Sequence, residues 1–402
     1  MNLKSIRKVL LVAIFTISCV YTGYRLGQRS VLTVKGSEVK TIDTSVMNDV
    51  LSRLKNSYLK PELIDNKKLM YGAAEGMTSA LGDPYTAFYP PKENARANQD
   101  LQGEFGGVGI QLGFIDKNLG VMAPLKNTPA EKAGVKAGDL ILKIKDVQKG
   151  VDKDTFGLAI EDAVDLIRGP KGTQVILTMF REGDKQSREV SLVRDTINVP
   201  STELSWLDNE SVAVMSVYKF GEQTKAEWDK MVDEVIKKNA KGVILDLRNN
   251  PGGYLTKAVD LGSEFIKDGV IVKQRDRQST EELGAGGTGR LIGKPLVVLI
   301  NKGSASASEI LSGALKQRIG AKLVGENSFG KGTVQQVEEL ANGAGLHVTI
   351  AEWLLPDGSN IHGKGIAPDV EVKFVTDEKD PKKDNQMEKA LEVLKGEILA
   401  KK

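Results

Sequence analysis

The sequence predicts a multidomain α/β protein, with N-terminal helices, a small β-rich module, and an α/β core built on a partly parallel sheet. Three observations predict it. From Val212 to Ile266, apolar runs suited to strands alternate with amphipathic stretches, the pattern of a parallel sheet covered by helices. From Gly103 to about Arg194, short β-rich runs recur between glycine-bearing turns around a single helical stretch. From Ser45 to Leu81, apolar residues fall at helical spacing on either side of Pro61. A chain of 402 residues can form two or three domains with separate cores.

The composition excludes several function classes. Fifty-six basic and 53 acidic residues give a net charge of +3, interspersed until the tail, so nothing points to nucleic acid. One cysteine, Cys19, rules out an intrachain disulfide framework. No Cys/His cluster has metal-ligand spacing, and neither a metal nor a cofactor is expected.

Residues 1–30 are a targeting segment. Lys4, Arg7 and Lys8 precede the apolar stretch Val9 to Tyr24, so the charges stay cytoplasmic and the rest of the chain crosses the membrane. No convincing small-residue cleavage site follows. The expectation is an uncleaved single-pass anchor holding the remaining chain outside the cytoplasm, with a cleaved signal peptide and a periplasmic or secreted product as the alternative.

Residues 31–100 read as a connector and a helical region whose role is packing or self-association. Gly82-Asp-Pro-Tyr-Thr-Ala-Phe-Tyr-Pro90 ends the helices as a turn. Residues 101–195 form the β-rich module, with strands expected around 107–112, 120–122, 140–144, 175–180 and 188–192 and a helix near 156–167. The order of Gly106-Gly-Val-Gly-Ile110, Thr128-Pro-Ala-Glu-Lys-Ala-Gly-Val-Lys-Ala-Gly-Asp-Leu-Ile141 and Arg168-Gly-Pro-Lys-Gly-Thr173 resembles a protease-associated PDZ domain. The resemblance implies that the backbone of Gly107, Val108, Gly109 and Ile110 faces a peptide's C-terminal carboxylate, beside a strand edge that accepts extended peptide. Arg168, where the helix gives way to the last strand pair, is a candidate for binding a ligand carboxylate or relaying its presence. Taken singly, these glycines are tight turns and Arg168 a solvated arginine.

The core spans residues 196–375. Gly242 to Leu247 is apolar except for Asp246, as suits a central strand buried on both faces. The turn Asn250-Pro-Gly-Gly253 lets backbone N–H groups approach a substrate oxygen closely, or simply caps the helix that follows. Ser279 to Arg290 is glycine-rich, which predicts a mobile loop flanking the entrance to a site. Leu346 to Trp353 is a further strand, and His347 and His362 read as packing or turn residues. The tail, 376–402, is a charged linker and an amphipathic helix that docks on the core or on another subunit.

The chemistry concentrates between Pro295 and Val337. A buried strand, Leu296 to Asn301, turns at Lys302-Gly303 into a run of three serines that opens a helix from Ala307 to Ile319. A serine on such a passage is exposed beside free helix N–H groups, which favour a developing negative charge. It is equally a helix cap, since Ser306-Ala-Ser-Glu309 matches the capping box. Composition alone does not choose among Ser304, Ser306 and Ser308. With two histidines in the chain, a Ser-His-Asp triad is poorly supplied, and Lys331 between Gly330 and Gly332 is the alternative base if burial leaves it neutral. Gln335 follows four residues later. Gly325-Glu-Asn-Ser-Phe-Gly-Lys-Gly-Thr333 also approaches a phosphate-binding loop, but Gly332 replaces the metal-binding hydroxyl and a strand pattern follows where a helix is required.

Asn301-Lys-Gly-Ser-Ala-Ser-Ala-Ser-Glu309 followed by Gly325-Glu-Asn-Ser-Phe-Gly-Lys-Gly-Thr-Val-Gln335 resembles the carboxyl-terminal processing (tail-specific) proteases, the S41 family, over most of residues 45–372. The resemblance implies Ser306 as nucleophile, Lys331 as base and Gln335 as the group orienting it. It also implies one oxyanion donor at Gly252 or Gly253 and the other at the N–H of Ala307. The function it implies is a serine endopeptidase that recognises exposed C-termini through its PDZ domain, and the insertion of that module between the N-terminal helices and the core leads us to expect regulation by PDZ occupancy. Its expected partners are protein or peptide substrates, a regulatory protein, the membrane, and a second copy met through the terminal helices. The competing class is a catalytically silent PDZ-containing adaptor, and nucleotide binding ranks third.

Overall fold

The structure is a computed structural model that describes residues 43–209, 211–287, 289–376, 380 and 383–401. The expected anchor at residues 1–30 lies outside the described residues, among which no helix is long and apolar enough to cross a membrane. The chain divides into two units between Leu69 and Met70.

Helix α1 (Ser45–Ser57) buries none of its residues. It stops short of Pro61, whose ring restricts the residue before it to extended conformations, and Pro61 opens a single 3-10 turn (Pro61–Leu63). Helix α2 (Asn66–Ser79) follows, then strand β1 (Ala87–Tyr89) and helix α3 (Pro91–Gln102), which opens on a proline at its first turn.

The β-rich module comprises β2 (Glu104–Gly107), β3 (Ile110–Ile115), β4 (Asn118–Pro124), α4 (Pro129–Lys132), β5 (Leu140–Asp146), β6 (Val151–Asp154), α5 (Ile160–Ile167), β7 (Gln174–Phe180), β8 (Arg188–Val193) and β9 (Asp195–Asn198). Its antiparallel sheet runs β3-β4-β5-β7-β8 with β6 on β5, while β2 pairs with β9. Alternating residues of β7 (Val175, Leu177, Met179) enter a core shared with Val121, Ile144 and Ala163 of α5. Buried Arg194 is fully satisfied: it donates to Asp146 Oδ2 at 2.7 Å, to the Ile167, Leu166 and Gln174 carbonyls and to the Thr173 hydroxyl. The strand expected from 107 to 112 is broken. Gly109 takes φ +78°, and Thr128 occupies the space a side chain there would need.

The core holds β10 (Thr202–Leu207), β11 (Val212–Val217), α6 (Thr224–Lys237), β12 (Gly242–Asp246), α7 (Leu255–Gly262), β13 (Val270–Arg275), β14 (Thr280–Gly284), β15 (Leu296–Ile300), α8 (Ala307–Ile319), β16 (Lys322–Gly325), β17 (Thr333–Glu339), β18 (Gly345–Leu354), β19 (Val370–Glu371) and α9 (Asn385–Ala400). Its main sheet is β10-β11-β12-β15-β16-β19, parallel except for the β10–β11 pair. Val243 and Leu245 face a core with Trp228 of α6, Leu261 of α7 and Leu311 of α8, whereas Ile244 faces Ala390 and Leu394 of α9. The C-terminal helix therefore docks on its own core. Arg248 fastens its start, pairing with Asp246 and Asp384 and donating to Gln386.

A second, antiparallel sheet runs β1-β18-β13-β14, with β17 also on β18. Strand β1 reaches it from far upstream, Ala87 pairing opposite His347. The glycine-rich stretch 279–290 departs from expectation. It begins as β14 on β13, then packs on α7, with Gly286 N–H donating to Ser263 Oγ and Arg290 paired with Glu264 and Asp229. Its glycines line a cavity with Lys225 and Asp260, away from the serine run. Cross-strand pairing holds Thr280–Gly284 and a partly buried ion pair holds Arg290, in a stretch whose composition reads as loose.

Candidate active site

The parallel sheet delivers the serine run at the C-terminal end of β15, where α8 begins. Each of the three serines does something different. Ser304, fully buried, donates to the Leu247 carbonyl at 2.8 Å and accepts from Asn301 N–H. Ser308, also fully buried, donates to the Asn250 carbonyl at 2.9 Å. Both hydroxyls stitch the run to the turn after β12. Ser306 is the half-buried one, and it faces a cavity of about 380 Å³ that Gly252, Gly253, Lys331, Gln335 and His347 also line.

Ser306 is the N-cap of α8 with φ 54° and ψ −116°, a strained conformation for a side-chain-bearing residue. Its N–H donates to Glu309 Oε2 at 2.8 Å, a capping-box bond. Cap and candidate nucleophile are thus the same residue. Such strain costs on the order of 1–3 kcal/mol and persists because the surroundings over-determine it.

Glu309 is the residue whose importance the sequence understated. It is fully buried and accepts four hydrogen bonds: Ser306 N–H, Lys331 N–H at 2.9 Å, Gly330 N–H at 2.7 Å and Ser328 Oγ at 2.6 Å. One carboxylate oxygen holds the backbone of both Ser306 and Lys331. Its capping-box spacing was visible, but its reach to the lysine loop, 22 residues on, was not.

The glycine turn closes over the serine. A side chain on Gly252 (φ +102°) would lie 2.8 Å from both Ala305 O and Ser306 Cβ; one on Gly253 (φ +138°) would lie 2.2 Å from Phe220 O. Gly252 N–H is already donated to Asn250 Oδ1 at 2.9 Å. Among the described residues, the N–H groups of Gly253 and Ala307 have no hydrogen-bond partner. Fully buried Asn250 organises the turn: its side chain also donates to the Val217 carbonyl, and its own carbonyl accepts from Ala305 N–H and Ser308 Oγ.

Lys331 precedes β17, and its ammonium lies 4.9 Å from the centre of the Tyr85 ring. Burial pushes its pKa below the usual lysine value, with Asp83 opposing. Gln335 donates instead to Thr333 Oγ1 at 3.0 Å and Thr349 Oγ1 at 3.1 Å. The segment 82–90 is more than a turn. Thr86 Oγ1 donates to Asp83 and accepts from Thr349 N–H, and β1 joins β18 beside it. Burial pushes the Asp83 carboxyl up, but bonds from Thr349, Tyr85 and Thr86 outweigh it and hold it low.

The histidines frame the lysine. His347 packs tilted against Tyr89, ring centres 4.5 Å apart, with Nε2 buried and unpartnered, and burial and the Lys331 charge lower its pKa. His362 accepts from Gly332 N–H at 3.3 Å and sits edge-on to Tyr85. In the β-rich module, Val108 and Gly109 N–H lack partners among the described residues, and β3 is an edge strand. Arg168 stacks on Phe105 with its guanidinium 3.8 Å from the ring centre, and burial lowers its pKa.

Comparisons with known proteins agree with these observations. The profile of Peptidase family S41 matches residues 211–372, and that of the PDZ domain matches residues 120–179. The chain is 34% identical over 374 residues to the carboxy-terminal processing protease CtpA of Bacillus subtilis (strain 168), covering 93% of this chain and 78% of that protein. It is 37% identical over 325 residues to a carboxyl-terminal-processing protease of Synechocystis sp., covering 80% and 74% respectively. A crystal structure of a putative S41 protease from Bacteroides fragilis shares the fold, with a TM-score of 0.53 at 14% identity over 86% of this chain and 96% of that one.

Proposed function

This chain belongs to peptidase family S41 and is a carboxyl-terminal processing serine peptidase with a PDZ domain, and we propose that its chemistry is of the Ser-Lys type, centred on Ser306 and Lys331. The observation that carries this reading is the division of labour among the serines. Ser304 and Ser308 spend their hydroxyls on carbonyls, while Ser306 shares a cavity with a lysine that burial drives towards its neutral form.

Neutral Lys331 takes the Ser306 proton as Oγ attacks the scissile carbonyl carbon. The N–H groups of Gly253 and Ala307 receive the oxyanion; Gly252, its N–H already engaged, shapes the turn instead. The Lys331 ammonium then protonates the leaving nitrogen as the C–N bond breaks. Water attacks the acyl-enzyme, Lys331 accepts its proton, and Ser306 Oγ leaves and is reprotonated. Lys331 must first leave the face of Tyr85, and Gln335 is the nearby amide that orients it at Ser306.

The PDZ module captures an exposed C-terminus at Gly107 to Ile110, and its occupancy regulates cleavage. Helix α3 supports such coupling. Lys92 and Arg96 pair with Asp165 of α5, while Ala97 and Leu101 of the same helix line the catalytic cavity. Arg168, stacked next to the α3 terminus, relays the ligand's presence. Deleting residues 103–194 separates inhibition from delivery: raised basal cleavage means the module inhibits, lost cleavage that it delivers or activates. The enzyme works outside the cytoplasm on its N-terminal anchor, which protease accessibility in intact cells would test. Self-association is assigned to the N-terminal helices, where Val46, Val50 and Leu54 of α1 are exposed, and is read by mass at graded concentration.

The purified full-length chain is expected to degrade an unfolded protein with an apolar C-terminus, and Ser306→Ala and Lys331→Ala to stop it. Continued cleavage by either variant would overturn the Ser-Lys assignment. Peptide binding without any wild-type cleavage would favour the adaptor.

A further inference from the structure

The catalytic cavity holds a second lysine that the proposed reaction does not use. Lys219 lines it together with Ser306, Lys331 and the glycine turn, and much of the remaining wall is apolar, including Leu101, Ile310 and Trp353. Its ammonium makes no ion pair and no hydrogen bond among the described residues; its only bond is at the backbone, where its carbonyl accepts from Thr224 Oγ1 at 3.0 Å. Its position is fixed. The next residue, Phe220, donates to the Gly252 carbonyl at 2.9 Å and accepts from Tyr254 N–H at 2.8 Å, so the root of Lys219 is tied to the turn that shapes the oxyanion site.

Burial lowers the Lys219 pKa, with only the charge of Asp100 opposing it. A half-buried cation without a partner is unfavourable unless something else supplies the counter-charge. The other cations near this turn are accounted for: Lys331 lies on Tyr85, and Arg248 is paired with Asp246 and Asp384. The occupant of this cavity, on the proposed function, is an extended polypeptide.

We propose that Lys219 is a specificity-determining residue that binds a carboxylate of the substrate polypeptide as the scissile bond enters the cavity. The inference rests on the peptidase reading of Ser306 and Lys331. The carboxylate comes either from an acidic side chain near the scissile bond or from the free C-terminus of a short segment about to be released. A charge-assisted ammonium–carboxylate contact at a half-buried lysine changes kcat/KM by about 10- to 100-fold.

The test measures kcat/KM on full-length enzyme for peptides differing by Glu or Gln at each of three positions on either side of the cleaved bond. A parallel pair ends in a free carboxylate or an amide. Wild type is expected to favour one carboxylate at least tenfold over its neutral counterpart, Lys219→Met to lose that preference whatever its absolute rate, and Lys219→Arg to keep it. The favoured pair identifies the source. Because the PDZ module is unchanged in the variants, its own preference for a C-terminus is the same in each and cancels when the wild-type ratio is divided by that of Lys219→Met, which is the preference assigned to Lys219. No preference in wild type, or one that survives in Lys219→Met, overturns the proposal while leaving the peptidase reading intact. Absence of all cleavage in wild type overturns both.

Discussion

The backbone around Ser306 and the side chains around Lys331 are held in opposite ways. The serine run is fastened at nearly every residue: Ser304 to Leu247, Ala305 and Ser308 to Asn250, Ser306 to Glu309. Among the described residues the lysine is hydrogen-bonded only through its main chain, its N–H donating to Glu309 and its carbonyl accepting from Trp353 Nε1, while its ammonium rests over Tyr85 and the Gln335 amide is engaged by two threonines. On the proposed Ser-Lys mechanism the nucleophile is therefore pre-set and strained, whereas the base is held at its main chain and by Tyr85. On that mechanism the asymmetry makes the Lys331 side chain the part that must shift before reaction, since its ammonium lies over Tyr85.

Replacements on the two sides should break the comparison to different depths. The largest effect is expected at the rigid side. Gly252→Ala forces a methyl against Ser306 Cβ and strains a backbone at φ +102°, so kcat should fall about 100- to 1000-fold in steady-state assays. Near-normal turnover would mean the turn can yield. Glu309→Gln leaves one oxygen to serve two pairs of donors, loosening serine and lysine together. A loss of about 100-fold in kcat with little change in KM is expected, with a lowered melting temperature. A melting change without a kinetic one would assign Glu309 to stability alone.

On the adjustable side the effects should be smaller. Gln335→Ala should lower kcat about tenfold, since Lys331 loses a guide but not its proton-accepting ability, and an unchanged rate would remove Gln335 from the mechanism. The smallest change concerns pH. Lys331 must be neutral to act, so kcat/KM should rise with pH through a midpoint below the usual lysine value of about 10.4. Asp83 favours the ammonium, so Asp83→Asn should move that midpoint to lower pH with the plateau nearly intact. A move to higher pH would show that Asp83 acts by holding structure rather than by charge.

Much of the architecture was legible because it depends on local pattern. The helix from Ala307 to Ile319 and the strand Val212–Val217 fall where the spacing put them, and β12 is buried on both faces from Gly242 to Leu245, as its apolar run up to Asp246 requires. The antiparallel sheet was only half legible. Its strand β13 and the joining of β1 to β18 depend on partners far apart in sequence, and the glycine-rich stretch 279–290 read as loose because composition does not register cross-strand pairing. The cap and nucleophile readings of Ser306 looked like rivals, yet the cap that the structure shows is compatible with the nucleophile proposed, since a helix N-terminus needs a cap and also offers free N–H groups.

The sequence by itself determined which elements form, the presence of a serine run at a strand–helix junction, and a glycine-flanked lysine 25 residues beyond Ser306. These follow from periodicity, capping and backbone freedom, which act over a few residues. Only the tertiary structure decided which serine faces the cavity, which glycine N–H lacks a partner among the described residues, and that one buried glutamate holds the backbone of serine and lysine together. Such outcomes depend on hydrogen-bond partners brought in from distant parts of the chain, because a buried polar group must find its partner wherever the fold places one.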